Sequence, residues 1–77
     1  MRIRVRLVGH LAKAGLPSGF DGGIVEIQEG ASVADLLAVL RAERQAMLVT
    51  VRGRAVGREH MLSERDVVSL VPPVGGG

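Results

Sequence analysis

One apolar helical stripe constrains this chain more than any other feature, because a helix with one apolar side must bury it against another layer. Ser32 and Asp35 form a Ser-x-x-Asp pattern, which predicts the helix start. Arg41 and Arg44 follow near its end, where positive charge complements the helix dipole. No second long helix is predicted, so the layer it covers must be a sheet. The stripe repeats at i, i+3, i+4 and i+7 and consists of Val33, Leu36, Leu37 and Leu40.

The first strand is predicted at residues 2–8, where apolar residues and arginines alternate strictly. This period of two is typical of a strand with one buried face. The exposed row of arginines is either a solvated face or a docking surface for an acidic partner. Ile3, Val5 and Leu7 are predicted to face inward, and Arg2, Arg4 and Arg6 outward.

A short helical turn is predicted at residues 10–14, before the second strand. Gly15 suits a left-handed position at its end, and Pro17 stops the helix. Residues 18–23 are typical of a loop, in which we expect Phe20 to pack against the edge of the core.

Further strands are predicted at residues 24–28, 47–51, 55–56 and 67–71, with a tight turn at Arg52-Gly53. In the last strand, Val67 and Val71 are expected to point outward, leaving apolar surface near the C-terminus. The inward residues of these strands are predicted to be Val25, Ile27, Val49, Val51, Val68 and Leu70.

The order of elements is a hairpin, a helix and then further strands, without regular alternation of strand and helix. It predicts an α+β fold of the β-grasp (ubiquitin-like) type, with a mixed sheet of four to five strands and one main helix on one face. In that fold the last strand lies centrally beside the first. We expect residues 1–71 to form the domain and residues 72–77 a flexible C-terminal tail.

Composition excludes several classes of function. The chain has no cysteine, so it cannot form a disulfide or a thiolate metal site, and its two histidines alone do not predict a metal site. A net charge of +2 and a single aromatic residue argue against nucleic-acid binding. No apolar run is long enough to span a membrane, and no signal peptide is visible, so we expect a cytoplasmic protein without membrane partners.

The C-terminus combines a stiff segment with one that lacks side chains. Pro72 and Pro73 favour an extended chain, Val74 follows, and Gly75-Gly76-Gly77 leaves the final carboxylate unobstructed. Six residues follow Val71, a reach of about 20 Å at full extension. Glycine-rich ends also arise as linkers or cloning remnants, but a flexible linker does not need a stiff apolar lead-in. The ending therefore predicts a carboxylate that is delivered into another protein's active site.

These features resemble the ubiquitin-like sulfur carriers, which include the molybdopterin synthase small subunit (MoaD-like) and the thiamine-pathway carrier ThiS. The similar segments are residues 30–37 at the helix start, Leu62, residues 66–68, and the tail, whose Pro-Pro-Val is closest to the molybdopterin synthase subunit. The chain departs from the family pattern at Arg52, where Asn is frequent, and at Arg65, where Gly is frequent. An arginine at a position of positive φ costs about 1 kcal/mol.

The resemblance implies that a separate ubiquitin-activating-like adenylyltransferase uses ATP to adenylate the Gly77 carboxylate. A persulfide donor then leaves a thiocarboxylate, which donates sulfur in an acceptor such as the molybdopterin synthase large subunit. Gly75 and Gly76 act as a spacer, while Pro72, Pro73 and Val74 form the stiff lead-in. Val67 and Val71, with Leu48, are the predicted docking patch. The chain itself is expected to bind no cofactor and to be a carrier or non-catalytic subunit, not an enzyme.

Three alternatives to this function are open on the sequence alone. The first is a carrier that supplies thiamine synthesis or tRNA thiolation instead of molybdenum cofactor synthesis. The second is a protein modifier whose Gly77 forms isopeptide bonds with lysines of target proteins. The third is a plain β-grasp interaction module with an incidental tail.

Overall fold

The computed structural model describes residues 1–45 and 47–73 and contains seven elements of secondary structure in that part of the chain. Of the two helices described, neither is long and apolar enough to cross a bilayer. In chain order the elements are β1 (Arg2–Leu7), α1 (His10–Ala14), β2 (Gly23–Glu26), α2 (Val33–Val39), β3 (Leu48–Val51), β4 (Arg54–Val56) and β5 (Val67–Val71).

The strands form one mixed sheet in the order β2-β1-β5-β3-β4. Strand β5 pairs in parallel with β1 and antiparallel with β3, while the two outer pairs are antiparallel. The last strand therefore lies centrally beside the first. The predicted β-grasp is confirmed, with five strands and α2 as the main helix.

A single core joins one face of the sheet to the apolar stripe of α2. Leu7, also predicted to face inward, is only half-buried at the end of β1. Phe20 packs against the core from the loop before β2, as predicted. The other predicted inward residues are buried: Ile3, Val5, Val25, Ile27, Val33, Leu36, Leu37, Leu40, Val49, Val51, Val68 and Leu70.

The start of α2 satisfies its free backbone amides in two ways. The predicted capping box is present: Asp35 N–H donates to Ser32 Oγ at 3.2 Å, and Ser32 N–H donates to Asp35 Oδ2 at 2.9 Å. The following amides, of Val33 and Ala34, donate to carbonyls of the loop after β4 at 2.9 and 2.8 Å. That loop is thereby held against the helix.

The end of α2 is marked by a residue with positive φ. The helix stops at Val39, and Arg41 adopts φ 56°. Arg41 N–H donates to Ala38 O at 3.1 Å and Ala42 N–H donates to Leu37 O at 2.8 Å, which is a Schellman motif with arginine at the position that usually holds glycine. Arg41 and Arg44 thus lie after the last helical turn and not within it.

The end of α1 at Gly15 and the turn between β3 and β4 lie where they were predicted. Their backbone angles add information that the sequence patterns did not provide. Gly15 follows α1 with φ 73° but ψ −177°, so its conformation is not left-handed helical. Arg52 and Gly53 join β3 to β4 with φ 53° and 82°, the two positive values of a type I′ turn. The chain accommodates a second arginine at positive φ in that turn, and Arg65 is the third, with φ 67°.

Candidate functional site

The start of the tail is attached to the centre of the sheet. Because β5 is bonded to neighbours on both sides, its last residue, Val71, has a fixed position. Pro72 is half-buried and Pro73 is exposed. The predicted site residues Val74, Gly75, Gly76 and Gly77 lie outside the described residues, so their roles stay predictions.

Pro72 packs against the connection between β1 and α1. Val8 N–H donates to Leu70 O at 3.1 Å, which extends the β1–β5 ladder by one bond, and Gly9 follows with φ 65° and ψ −141°. A Cβ atom added at Gly9 would lie 3.3 Å from Pro72 Cγ and 3.6 Å from its Cδ. The Pro72 ring therefore lies close to the Gly9 backbone, in a position where a side chain at residue 9 would crowd it.

Two of the three predicted docking residues are direct neighbours. Leu48 pairs with Val71 across β3 and β5, Leu48 is 49% exposed, and Val71 is half-buried. Val8, which directly follows β1 and is 37% exposed, continues this row. The row Val8–Val71–Leu48 joins β5, β3 and the residue after β1 at the end of the sheet from which the tail leaves.

Val67 lies on the same face of the sheet, the one that α2 leaves uncovered, but away from this row. It starts β5, four residues before Val71, which is a separation of about 13 Å along an extended strand. Its neighbour on β1 is Arg4, whose partner on β2 is Ile24. Val67 is half-buried and Ile24 is 51% exposed. The predicted patch is therefore two apolar areas on one face, with Ser69 between them on β5.

The open face, defined by the outward residues of the five strands, also carries the predicted arginine row. Arg2 pairs with Glu26 across β1 and β2, and its Nε lies 3.4 Å from Glu26 Oε1. Arg4 and Arg6, by contrast, form no ion pair within the described part of the chain. All three arginines are exposed.

The opposite end of the sheet contains a buried carboxylate that supports structure. Asp66 is 3% exposed; its Oδ1 lies 3.0 Å from Arg52 Nε, and its Oδ2 accepts a hydrogen bond from Ser63 N–H at 2.7 Å. These contacts join the β3–β4 turn to the turn before β5. Among residues 1–45 and 47–73, no three His, Asp or Glu side chains lie close enough together to bind a metal.

Sequence reasoning missed three residues near the tail and on the open face. Val8 and Ile24 could have been found, because continuing the alternation of β1 and of residues 24–28 places both on the arginine side. Gly9 could not, because its contact partner Pro72 is distant in sequence and no local pattern joins them.

A protein-family model matches this chain. The model of the ThiS family matches residues 18–77, which is most of the chain and includes the tail. The predicted resemblance is thereby confirmed. A search of curated proteins gives no match.

Solved structures with the same fold cover nearly the whole chain. A putative molybdopterin converting factor subunit 1 from Pyrococcus furiosus has 24% identity and a TM-score of 0.78, over 96% of this chain and 99% of that one. Small archaeal modifier protein 1 of Haloferax volcanii has 20% identity and a TM-score of 0.75, over 95% and 98%. A complex of subunits 1 and 2 of the molybdopterin-converting factor from Helicobacter pylori matches with 21% identity and a TM-score of 0.67, over 100% of each chain.

Proposed function

Because the chain belongs to the ThiS family, we propose that it is a sulfur carrier whose C-terminal glycine, Gly77, receives sulfur as a thiocarboxylate. The observation that carries the proposal is the extent of the family match, which runs from the loop before β2 through the last glycine. The central position of β5, which leads directly into Pro72, supports it. A carrier of this kind needs a rigid body that holds the start of the tail in one place.

The chemistry begins with activation, because a free carboxylate is a poor acyl donor. In the proposed reaction a carboxylate oxygen of Gly77 attacks the α-phosphorus of ATP in a partner adenylyltransferase, and pyrophosphate leaves. A persulfide sulfur then attacks the carbonyl carbon and displaces AMP. A thiol then attacks the donor's sulfur in the resulting acyl disulfide, forms a new disulfide with the donor, and releases Gly77 as the thiocarboxylate.

This chain contributes positioning and no catalytic group to those steps. Gly75 and Gly76 present no side chain to the walls of the partner's active-site channel. Pro72 and Pro73 restrict the free tail, which lowers the entropy lost when it is inserted. Leu48, Val71 and Val67 on the open face would contact the partner enzymes.

The acceptor we propose is a molybdopterin synthase large subunit, in the cytoplasm. Two observations support this choice over thiamine synthesis or tRNA thiolation. The tail contains Pro72-Pro73-Val74, the feature that resembles the molybdopterin synthase subunit. One structure with the same fold is subunit 1 in a complex with subunit 2 of a molybdopterin-converting factor.

Protein modification is the second candidate. A match to a structure described as small archaeal modifier protein 1 favours it. Both functions start with adenylation of the same carboxylate and differ in the nucleophile that follows, which is a persulfide sulfur for a carrier and a lysine amine for a modifier.

The test is intact mass spectrometry of the chain after incubation with ATP, its cognate activating enzyme and a persulfide donor. A sulfur carrier gains the mass difference between one sulfur and one oxygen, whereas a modifier appears as adducts on other proteins. The matched control is a synthetic chain with a C-terminal amide, which keeps every residue but removes the acid group. If the mass stays unchanged, or if the amide form gains the same mass, the proposal is wrong.

A further inference from the structure

We propose that Arg4 and Arg6 pair with carboxylates on the protein partner that covers the open face, so that this partner presents an acidic and apolar surface. The inference rests on the proposed function, because it describes the partner that the docking residues contact. It concerns recognition and not the chemistry at Gly77.

The outward strand residues of the open face carry an excess of positive charge. The strands place Arg2, Arg4, Arg6 and Glu26 there, which leaves two positive charges in excess. Elsewhere in the sequence, seven basic side chains are matched by seven acidic ones. The outward strand residues on the face that α2 leaves uncovered therefore carry a charge of +2, which equals the formal net charge of the chain.

The neighbours of the arginines show which charges the fold itself uses. Arg2, near the start of β1, pairs with Glu26 on β2, and such a cross-strand pair of opposite charges stabilises a sheet. Arg4, two residues further along β1, lies between Ile24 on β2 and Val67 on β5, and Arg6 lies beside Ser69 on β5. Acidic residues at those positions would provide the same intramolecular pairing. The chain instead has apolar or small side chains there.

This pattern suits a protein partner. The guanidinium groups remain able to bind carboxylates, while their aliphatic stems and the flanking Ile24 and Val67 provide apolar contact area. The row Val8–Val71–Leu48 continues the same face to the start of the tail. A partner that covers this face therefore engages the arginines and receives the tail together, and its acidic surface accelerates the encounter.

The experiment measures binding of the full chain to its cognate activating enzyme by fluorescence anisotropy, for wild type and for the double variant Arg4→Glu/Arg6→Glu. The control is Arg41→Glu/Arg44→Glu, which changes the net charge equally at two arginines that lie beside Ala38 of α2, the helix that covers the opposite face of the sheet. We expect the Arg4/Arg6 variant to lose about tenfold or more in affinity, and the control to stay close to wild type. Raising NaCl from about 0.05 to 0.5 M should weaken wild-type binding much more than that of the Arg4/Arg6 variant.

The neutral variant Arg4→Gln/Arg6→Gln keeps the test decisive if the charge reversal impairs folding, and circular dichroism checks each variant. The inference would be overturned if the Arg4/Arg6 variant and the Arg41/Arg44 control lost affinity equally. It would also be overturned if the Arg4/Arg6 variant bound as tightly as wild type. Sulfur loading of wild-type Gly77 in the same preparation shows that the proposed function stands in that case. If wild type neither binds nor loads, both proposals fall.

Discussion

Gly9→Ala tests whether the start of the tail is held by a steric fit between two distant segments. Gly9 has φ 65° and ψ −141°, close to a region that is almost exclusive to glycine. An alanine there adopts a strained backbone conformation and also places its Cβ 3.3 Å from Pro72 Cγ. Because a proline ring cannot rotate away, Pro72 itself must move.

Backbone strain at residue 9 and crowding against Pro72 together set the expected loss of stability. A residue other than glycine in this backbone region costs about 1–3 kcal/mol. Taking about 2 kcal/mol for strain and crowding together, a domain of this size should lose roughly 8–16 °C in Tm. Urea unfolding followed by circular dichroism measures the free energy of unfolding directly.

Two further variants separate strain from crowding. Gly19 has φ 99°, and a Cβ atom added there would meet nothing within 4 Å, so Gly19→Ala carries backbone strain without the contact. In Gly9→Ala/Pro72→Ala the proline ring is absent, and part of the lost stability should return. If Gly9→Ala costs no more than Gly19→Ala, and the second substitution restores nothing, then the contact does not hold the tail.

Three other substitutions test separate parts of the structure. Arg41→Gly should stabilise the domain by about 1 kcal/mol in urea unfolding, because glycine adopts φ 56° without strain; an unchanged midpoint would contradict this. Arg52→Asn suits the type I′ turn but removes the cation 3.0 Å from buried Asp66, so we expect a net loss of about 1 kcal/mol, and a raised midpoint would show that the ion pair adds nothing. Val71→Asp should leave the circular dichroism spectrum and fold intact and weaken binding to the activating enzyme; an unfolded variant would show that Val71 supports the core.

The sequence predicted those parts of the fold that depend on local patterns. Alternation assigned the buried residues of β1 and β5, and Ser32 with Asp35 marked the start of α2. The β-grasp fold, and with it the central position of the last strand beside the first, followed from combining these elements with the rule that a helix with one apolar side covers a sheet. Leu48 and Val71 were correctly assigned to the open face because strand phase alone decides which face they occupy.

Other features depend on contacts that leave no local signal. Nothing in the sequence near Arg41 indicates a positive φ, since arginine rarely occupies that position, so the residue at which the helix ends could not be predicted. The contact between Gly9 and Pro72 and the ion pair of Arg52 with Asp66 join segments that meet only after the sheet has formed. The separation of Val67 from Leu48 likewise needed the register between strands.

The position of β5 between two neighbours has a mechanical consequence. A pull on the C-terminus acts along the strand and loads the hydrogen bonds to β1 and β3 in shear at the same time, so that many bonds must break together. A force that a partner or a protein-unfolding motor applies to the C-terminus therefore does not separate β5 from the sheet one hydrogen bond at a time.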